Sequence, residues 1–405
     1  MVGCSSVFMG GMYVPKRGTT AHTMACNVLT RHARHSRRPP GILMPMKATA
    51  LLSMTGQSIW LDNITRKLLD SGQLSQWIRD LSVVGLTSNP SIFEKAVTGS
   101  SDYDGQVSSL AAKGLSAEQI FFDCAISDLT RACDLFRSVH ERTGGIDGWV
   151  SLEVSPLLAN DTKATLAQAR ELHAKAGRPN LYIKVPGTPE GIPAIEELTF
   201  AGISVNVTLL FAPQHCRAAA EAYMRGLERR AAAKLPLGVV SGVASLFVSR
   251  WDRKTAPKLP ANLKNTVGVA VCRKCYSEYC ELYSSDRWLA LEAAGARPQR
   301  LLFASTSTKD PTLSPTLYVQ SLAAPRTVNT MPEETLLAVS RGMDLPTVLA
   351  PSDCSWRTSL DAVTKAGIDL DRCAEELQIE GRDAFDKSWK ELIGAIEGKT
   401  EALAR

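Results

Sequence analysis

The chain has 405 residues, of which 44% are hydrophobic and 21% charged, with a formal net charge of +5. That is long for one ordinary domain but suits a single barrel of about 250 residues with insertions, and the composition is that of a globular protein. No apolar run is long enough for a membrane-spanning helix: the longest, Gly238 to Val248, is interrupted by Ser241 and Ser245 and falls well short of the ~20 residues a bilayer requires.

The charge is unevenly spread. Residues 1–61 hold no Asp or Glu and seven basic residues: Lys16, Arg17, Arg31, Arg34, Arg37, Arg38 and Lys47. Taking seven from +5 leaves the body at about −2, which gives no support for nucleic-acid binding. An acid-free, Arg-bearing start with Ser and Thr fits an organellar transit peptide. Its Arg-His-Ala-Arg-His-Ser-Arg-Arg run (31–38) suits an anionic import surface. A disordered basic arm, or a start codon placed too early, gives the same pattern. The expectation is an arm over 1–57 and a folded domain over 58–405. The plastid (chloroplast stroma) is the expected destination, with mitochondrion and cytoplasm open.

From Ser58 short apolar runs alternate with longer amphipathic stretches, the rhythm of a parallel sheet or barrel. Eight strands are predicted: Ser58–Asp62, Val83–Thr87, Trp149–Val154, Leu181–Val185, Ile203–Leu209, Val239–Ser245, Leu301–Ser305 and Thr327–Met331. Helices are predicted at Thr162–Lys175, after the Asn160-Asp161 cap pair, at Pro189–Leu198, and at Gln214–Arg230. Two more close the chain, at about 358–375 and 380–396. The long gaps after the second and sixth strands predict extra helices rather than a second domain. The Lys- and Pro-rich stretch Lys254–Asn265 reads as a loop.

Eight cysteines lie beyond the arm, in a chain large enough to bury a core without disulfides. Cys272, Cys275 and Cys280 have redox- or zinc-like spacing, but Gly268 to Leu282 reads as a helix, where such spacing arises by chance. No fourth metal ligand stands out, and His140, His173 and His215 are distant in sequence.

In a barrel enzyme the active site gathers at the carboxyl ends of the strands. Those ends carry Asp62; Thr87 with Asn89; Glu153; Lys184; Asn206 with Thr208; Ser245 and then Arg250; Ser305, Ser307 and Lys309; and Asn329. Lys184, inside Leu-Tyr-Ile-Lys-Val, is the sharpest case, because lysine is almost never buried unless paired or functional. Burial favours the neutral amine, a nucleophile toward carbonyls. Snorkelling to solvent, or pairing with Glu153 or Asp62, explains the position equally well.

Seven segments in order resemble the transaldolase family. Gly-Leu-Thr-Ser-Asn-Pro (85–90) resembles its signature, and Tyr-Ile-Lys-Val-Pro-Gly-Thr-Pro-Glu-Gly (182–191) the stretch around its Schiff-base lysine. The others are 150–154, 206–211, 245–250, 304–309 and 327–332, so the resemblance covers roughly residues 57–400. It implies a (β/α)₈ TIM barrel with extra helices, of class I aldolase type. It also implies transfer of a dihydroxyacetone unit between sugar phosphates with no cofactor and no metal, in a monomer or homodimer. Lys184 would form the imine, Glu153 and Thr208 would hold a catalytic water, and Asp62 would take the C4 hydroxyl proton. Thr87, Asn89, Asn206 and Ser245 would hold sugar hydroxyls, and Arg250, Ser305 and Lys309 the phosphate. The better-known branch carries an Arg where this chain has Ser307, so Lys309 would supply that charge. A fructose 6-phosphate aldolase shares fold and imine but carries Tyr at Phe247 and Gln at Glu153. A sugar-phosphate-binding protein on an inactive scaffold is the non-enzymatic alternative.

Overall fold

The computed structural model describes residues 46–344 and 346–404. Eight parallel strands close into a barrel in chain order. They are β1 (Gln57–Asp62), β2 (Val83–Thr87), β3 (Trp149–Glu153), β4 (Leu181–Pro186), β5 (Val205–Leu210), β6 (Gly242–Phe247), β7 (Gln299–Ala304) and β8 (Thr327–Met331), with β8 paired back to β1. Helices alternate with them, and the result is a (β/α)₈ TIM barrel. The gap after β2 holds Pro90–Thr98, Asp104–Ala111 and Ala117–Arg142. The gap after β6 holds Ser249–Thr255, two 3₁₀ turns, Val267–Leu282 and Asp286–Ala293.

Strand side chains alternate in direction, so each strand contributes to the interior every second residue. Midway up, large aromatics fill the barrel. Trp149 stacks on Tyr182 at 4.1 Å between ring centroids, and Tyr182 on Trp60 at 6.0 Å. Gly85 makes room for them, since a Cβ there would lie 2.6 Å from Trp60 Cε2. Below, Arg300 closes the barrel by donating to Ser58 Oγ at 2.9 Å and pairing with Asp147 at 3.0 Å. The polar residues above therefore rest on an aromatic floor.

Several predicted boundaries move. Most of the arm expected over 1–57, namely residues 1–45, lies outside the described residues. The compact unit of the barrel begins at Met46, not Ser58. Helix Ala48–Met54 buries Thr49 and Leu52, and the acid-free pattern of the arm concealed it. Strands β5 and β6 start two and three residues later than predicted, because Ile203 and Val239 sit in connecting turns, Val239 being 57% exposed. The Lys254–Asn265 stretch begins in the last turn of Ser249–Thr255 and continues as 3₁₀ turns at Ala256–Lys258 and Ala261–Leu263.

The chain end differs most. Helix Ser355–Lys365 stops before Gly367, which has a φ of 91°. Asp369 then caps a single long helix, Leu370–Leu403, by accepting from the Arg372 amide. Where the sequence reading parts two helices, between 375 and 380, the helix is unbroken. Its buried residues Leu377, Gly381, Phe385, Trp389, Leu392 and Ile396 recur every three or four positions. That stripe lies across the barrel mouth, where Gln378 Nε2 donates to the carbonyls of Gly187 and Leu209, 3.0 Å each.

Candidate active site

Strand pairing sets Lys184 beside Glu153 on one side and Asn206 on the other. Only 5% of Lys184 is exposed. Its Nζ donates to Glu153 Oε2 at 3.1 Å and to the Ser88 carbonyl at 3.2 Å. The lysine is therefore both buried and paired, with Glu153 rather than with Asp62. Burial pushes the Glu153 carboxyl above the usual carboxylate range, against the pull of the Lys184 charge.

Asp62 lies across the same layer. Its Oδ1 accepts from Thr87 Oγ1 at 2.7 Å, and Thr87 Oγ1 is 2.7 Å from Thr330 Oγ1. Burial raises the Asp62 carboxyl as well, opposed by Lys184 and by the Thr87 hydrogen bond. The site thus offers two buried carboxyl groups, both shifted toward the protonated form by burial, as proton-transfer groups often are.

A cavity of about 780 Å³ opens above these groups. Asp62, Thr87, Asn89, Lys184, Thr208, Ser245, Arg250, Ser305 and Lys309 all line it, so most of the sequence-derived residues meet in one place. Two do not line it. Glu153 reaches the site through Lys184. Asn206 lies beneath, its Oδ1 accepting from Ser245 Oγ at 2.7 Å and its Nδ2 donating to Ser151 Oγ at 3.0 Å. Asn206 thereby orients Ser245. Thr208 Oγ1 is buried, faces the cavity and has no partner among the described residues. Asn89 caps helix Pro90–Thr98 through its Oδ1, which accepts from Ile92, and lines the cavity as well.

Arg250 stands at the far side. It does not pair with Asp252, whose carboxylate accepts from the Gly268 amide at 2.9 Å and from Tyr318 Oη at 2.8 Å. Arg250 makes no ion pair or hydrogen bond among the described residues. Burial pushes its guanidinium down to about 10, with neighbouring Arg253 adding to the shift, and it remains a cation at neutral pH. Ser307, at the position of the other branch's Arg, accepts from Lys309 Nζ at 2.7 Å and so positions that cation. Leu209 and Ser305, at the ends of β5 and β7, both hold left-handed backbone (φ 62° and 57°), strain that clusters at functional sites.

Sequence reading missed three contributors. Thr330 lines the cavity, where the sequence pointed to its neighbour Asn329; alternation along β8 puts only one of the two inside. The Ser88 carbonyl leaves no mark in the side-chain pattern. Phe385 belongs to the terminal helix, and its spacing is that of any core stripe.

Cys272 and Cys275 are core residues of Val267–Leu282, and burial pushes both thiols well above their usual range. Such thiols react poorly with oxidants or disulfides. Equal turnover with and without dithiothreitol is therefore expected. A reductant-dependent rate would reinstate the thiol switch. Among the described residues no group of three or more His, Cys, Asp or Glu side chains is arranged to hold a metal.

A family model described as Transaldolase/Fructose-6-phosphate aldolase matches residues 59–396. A protein named Transaldolase from Thermobifida fusca (strain YX) is 46% identical over 354 residues, covering 85% of this chain and 96% of its own. Proteins of the same name from Saccharopolyspora erythraea and Acidothermus cellulolyticus are each 44% identical, over 351 and 363 residues, with 95% and 98% of their own lengths covered.

Proposed function

Because this chain belongs to the transaldolase/fructose-6-phosphate aldolase family, we propose that it is a transaldolase working through a Schiff base on Lys184. It would move a dihydroxyacetone unit from sedoheptulose 7-phosphate to glyceraldehyde 3-phosphate, giving erythrose 4-phosphate and fructose 6-phosphate. The observation that carries this reading is the placement of Lys184: buried on an aromatic floor, hydrogen-bonded to a raised carboxyl, and open to a cavity with an unpaired arginine at its far side.

Glu153 takes the proton from Lys184, and the amine adds to the C2 ketone of the donor. Loss of water from the adduct gives a protonated imine. Glu153, hydrogen-bonded to Lys184, and the Thr208 hydroxyl, without a partner among the described residues, would pass the protons this requires. Asp62 then removes the proton from the C4 hydroxyl. The C3–C4 bond breaks and its electrons flow into the imine, leaving an enamine on Lys184. The aldose phosphate departs, an acceptor aldehyde enters, and the steps reverse. The imine is the electron sink throughout. Arg250 and Lys309 would hold the phosphate, the guanidinium fork matching its oxygens.

Fructose 6-phosphate aldolase shares the imine but releases free dihydroxyacetone. Phe247 in the cavity wall and Glu153 beside the lysine favour transfer. Borohydride reduction in the presence of fructose 6-phosphate tests the chemistry. The expected product is a reduced three-carbon adduct, located by peptide mass spectrometry on Lys184. Folded protein that binds the sugar phosphate but traps no adduct would point to a binding protein instead.

A further inference from the structure

The wall between the lysine and the arginine is aromatic. The Phe385 ring, on the terminal helix, lies 5.5 Å from Lys184 Nζ and 5.8 Å from the Arg250 guanidinium carbon. Phe247 stands beside it, 6.4 Å away between centroids and 5.0 Å from Arg250. The helix that brings Phe385 is fixed on both sides of it. Gln378 ties it to two barrel carbonyls, and Ser388 accepts from Ser91 Oγ at 2.8 Å. At Gly381, one turn before Phe385, a Cβ would sit 3.0 Å from Arg250 Nη1 and 3.0 Å from Leu209 Cδ2. The wall is part of the packed structure and needs no lid motion to form.

We propose that Phe385 is a specificity-determining residue, which decides whether the three-carbon unit passes to an aldehyde or is lost to water. The proposal rests on the imine mechanism above. After the first aldose phosphate leaves, the unit waits on Lys184 as an enamine. In transfer, C3 forms a bond to the acceptor carbonyl carbon. In loss, C3 takes a proton and the nitrogen returns to the iminium state. Water then adds to C2, the C2–N bond breaks, and the water oxygen becomes the ketone oxygen of free dihydroxyacetone while the amine is regenerated.

The two routes part at protonation of C3. The polar groups that touch Lys184 Nζ are Glu153 and the Ser88 carbonyl, and Asp62, Thr208 and Ser245 share its cavity from other barrel strands. Phe385 faces the lysine from the terminal helix with no proton to give, and its bulk excludes water from that side. The same ring favours a cation on the nitrogen, which stabilises the imine once formed.

The test measures free dihydroxyacetone per transfer event, with fructose 6-phosphate as donor and erythrose 4-phosphate as acceptor. Phe385→Ser, which admits water, is expected to raise that ratio about tenfold or more, less than the ~10²–10⁴-fold of a positioned proton donor because an admitted water is not held in place. Phe385→Tyr keeps the ring volume and adds a hydroxyl, so it should raise the ratio even if the serine variant fails to fold. Phe385→Leu restores an apolar wall and should return the ratio close to the wild-type value. An unchanged ratio in folded Ser and Tyr variants, with only kcat/KM reduced, would reduce Phe385 to packing and overturn the proposal. Wild-type protein that traps no Lys184 adduct would instead sink the imine mechanism itself, so the two failures are distinguishable.

Discussion

Lys184→Met is expected to lower kcat for transfer by roughly 10⁴-fold or more, because it removes the amine that would make the covalent intermediate. Methionine keeps the length and apolar stem of the side chain. The substitution leaves Glu153 without its cation, but that carboxyl is already pushed up by burial and can remain protonated. The barrel should therefore stay folded, with an unchanged far-ultraviolet circular dichroism spectrum. Fructose 6-phosphate should still bind through Arg250. Transfer within a hundredfold of wild type in this variant would show that the lysine is a structural partner of Glu153 and not the nucleophile.

Arg250→Ala should act on a different quantity. The guanidinium is half-buried, cationic and without an ion pair or hydrogen bond among the described residues, so it has charge-assisted hydrogen bonds to offer a phosphate. Such bonds contribute about 1.5–3 kcal/mol each, which makes KM for fructose 6-phosphate rise roughly 10- to 100-fold or more. Lys184, Glu153 and Asp62 are untouched, so kcat should fall far less than KM rises. Dihydroxyacetone transfer from unphosphorylated fructose should hardly change. Steady-state kinetics with both donors checks this. An equal loss with both would mean that Arg250 supports the cavity wall and does not hold the phosphate. Arg250→Lys should recover only part of the loss, because a point charge cannot reproduce the fork.

Much of this site is legible in the sequence, because a barrel maps strand ends onto a single surface. Asp62, Thr87, Lys184, Thr208 and Ser245 close apolar runs too short to be helices, and a polar group there must face either the core or the cavity. Gly85 is legible as a breaker, but its reason, the Trp60 indole, exists only in three dimensions. Asn206 shows the limit. Its place on β5 is the expected one, yet its two hydrogen bonds run to Ser151 and Ser245, and nothing in the order of residues says whether an amide points up to a substrate or across to a neighbour. Phe385 lies beyond that limit. A helix stripe of Leu377, Gly381, Phe385 and Trp389 carries one message, burial, and the identity of the surface it covers is set by tertiary packing. The last two helices were misjoined for a local reason: the pattern of apolar residues runs past Gly367, while the positive φ there breaks the chain.

The unpaired Arg250 has a consequence beyond catalysis. A half-buried guanidinium with no ion pair among the described residues weighs against the folded state, and a phosphoryl group bound there would offset that penalty. A ligand that binds only the native form at a hundred times its Kd adds about 2.7 kcal/mol to folding stability. Occupied molecules would then open less often to proteases than unoccupied ones. The supply of sugar phosphate in the cell would thus govern how long each copy survives as well as how fast it works, and abundance could follow demand with no change in synthesis.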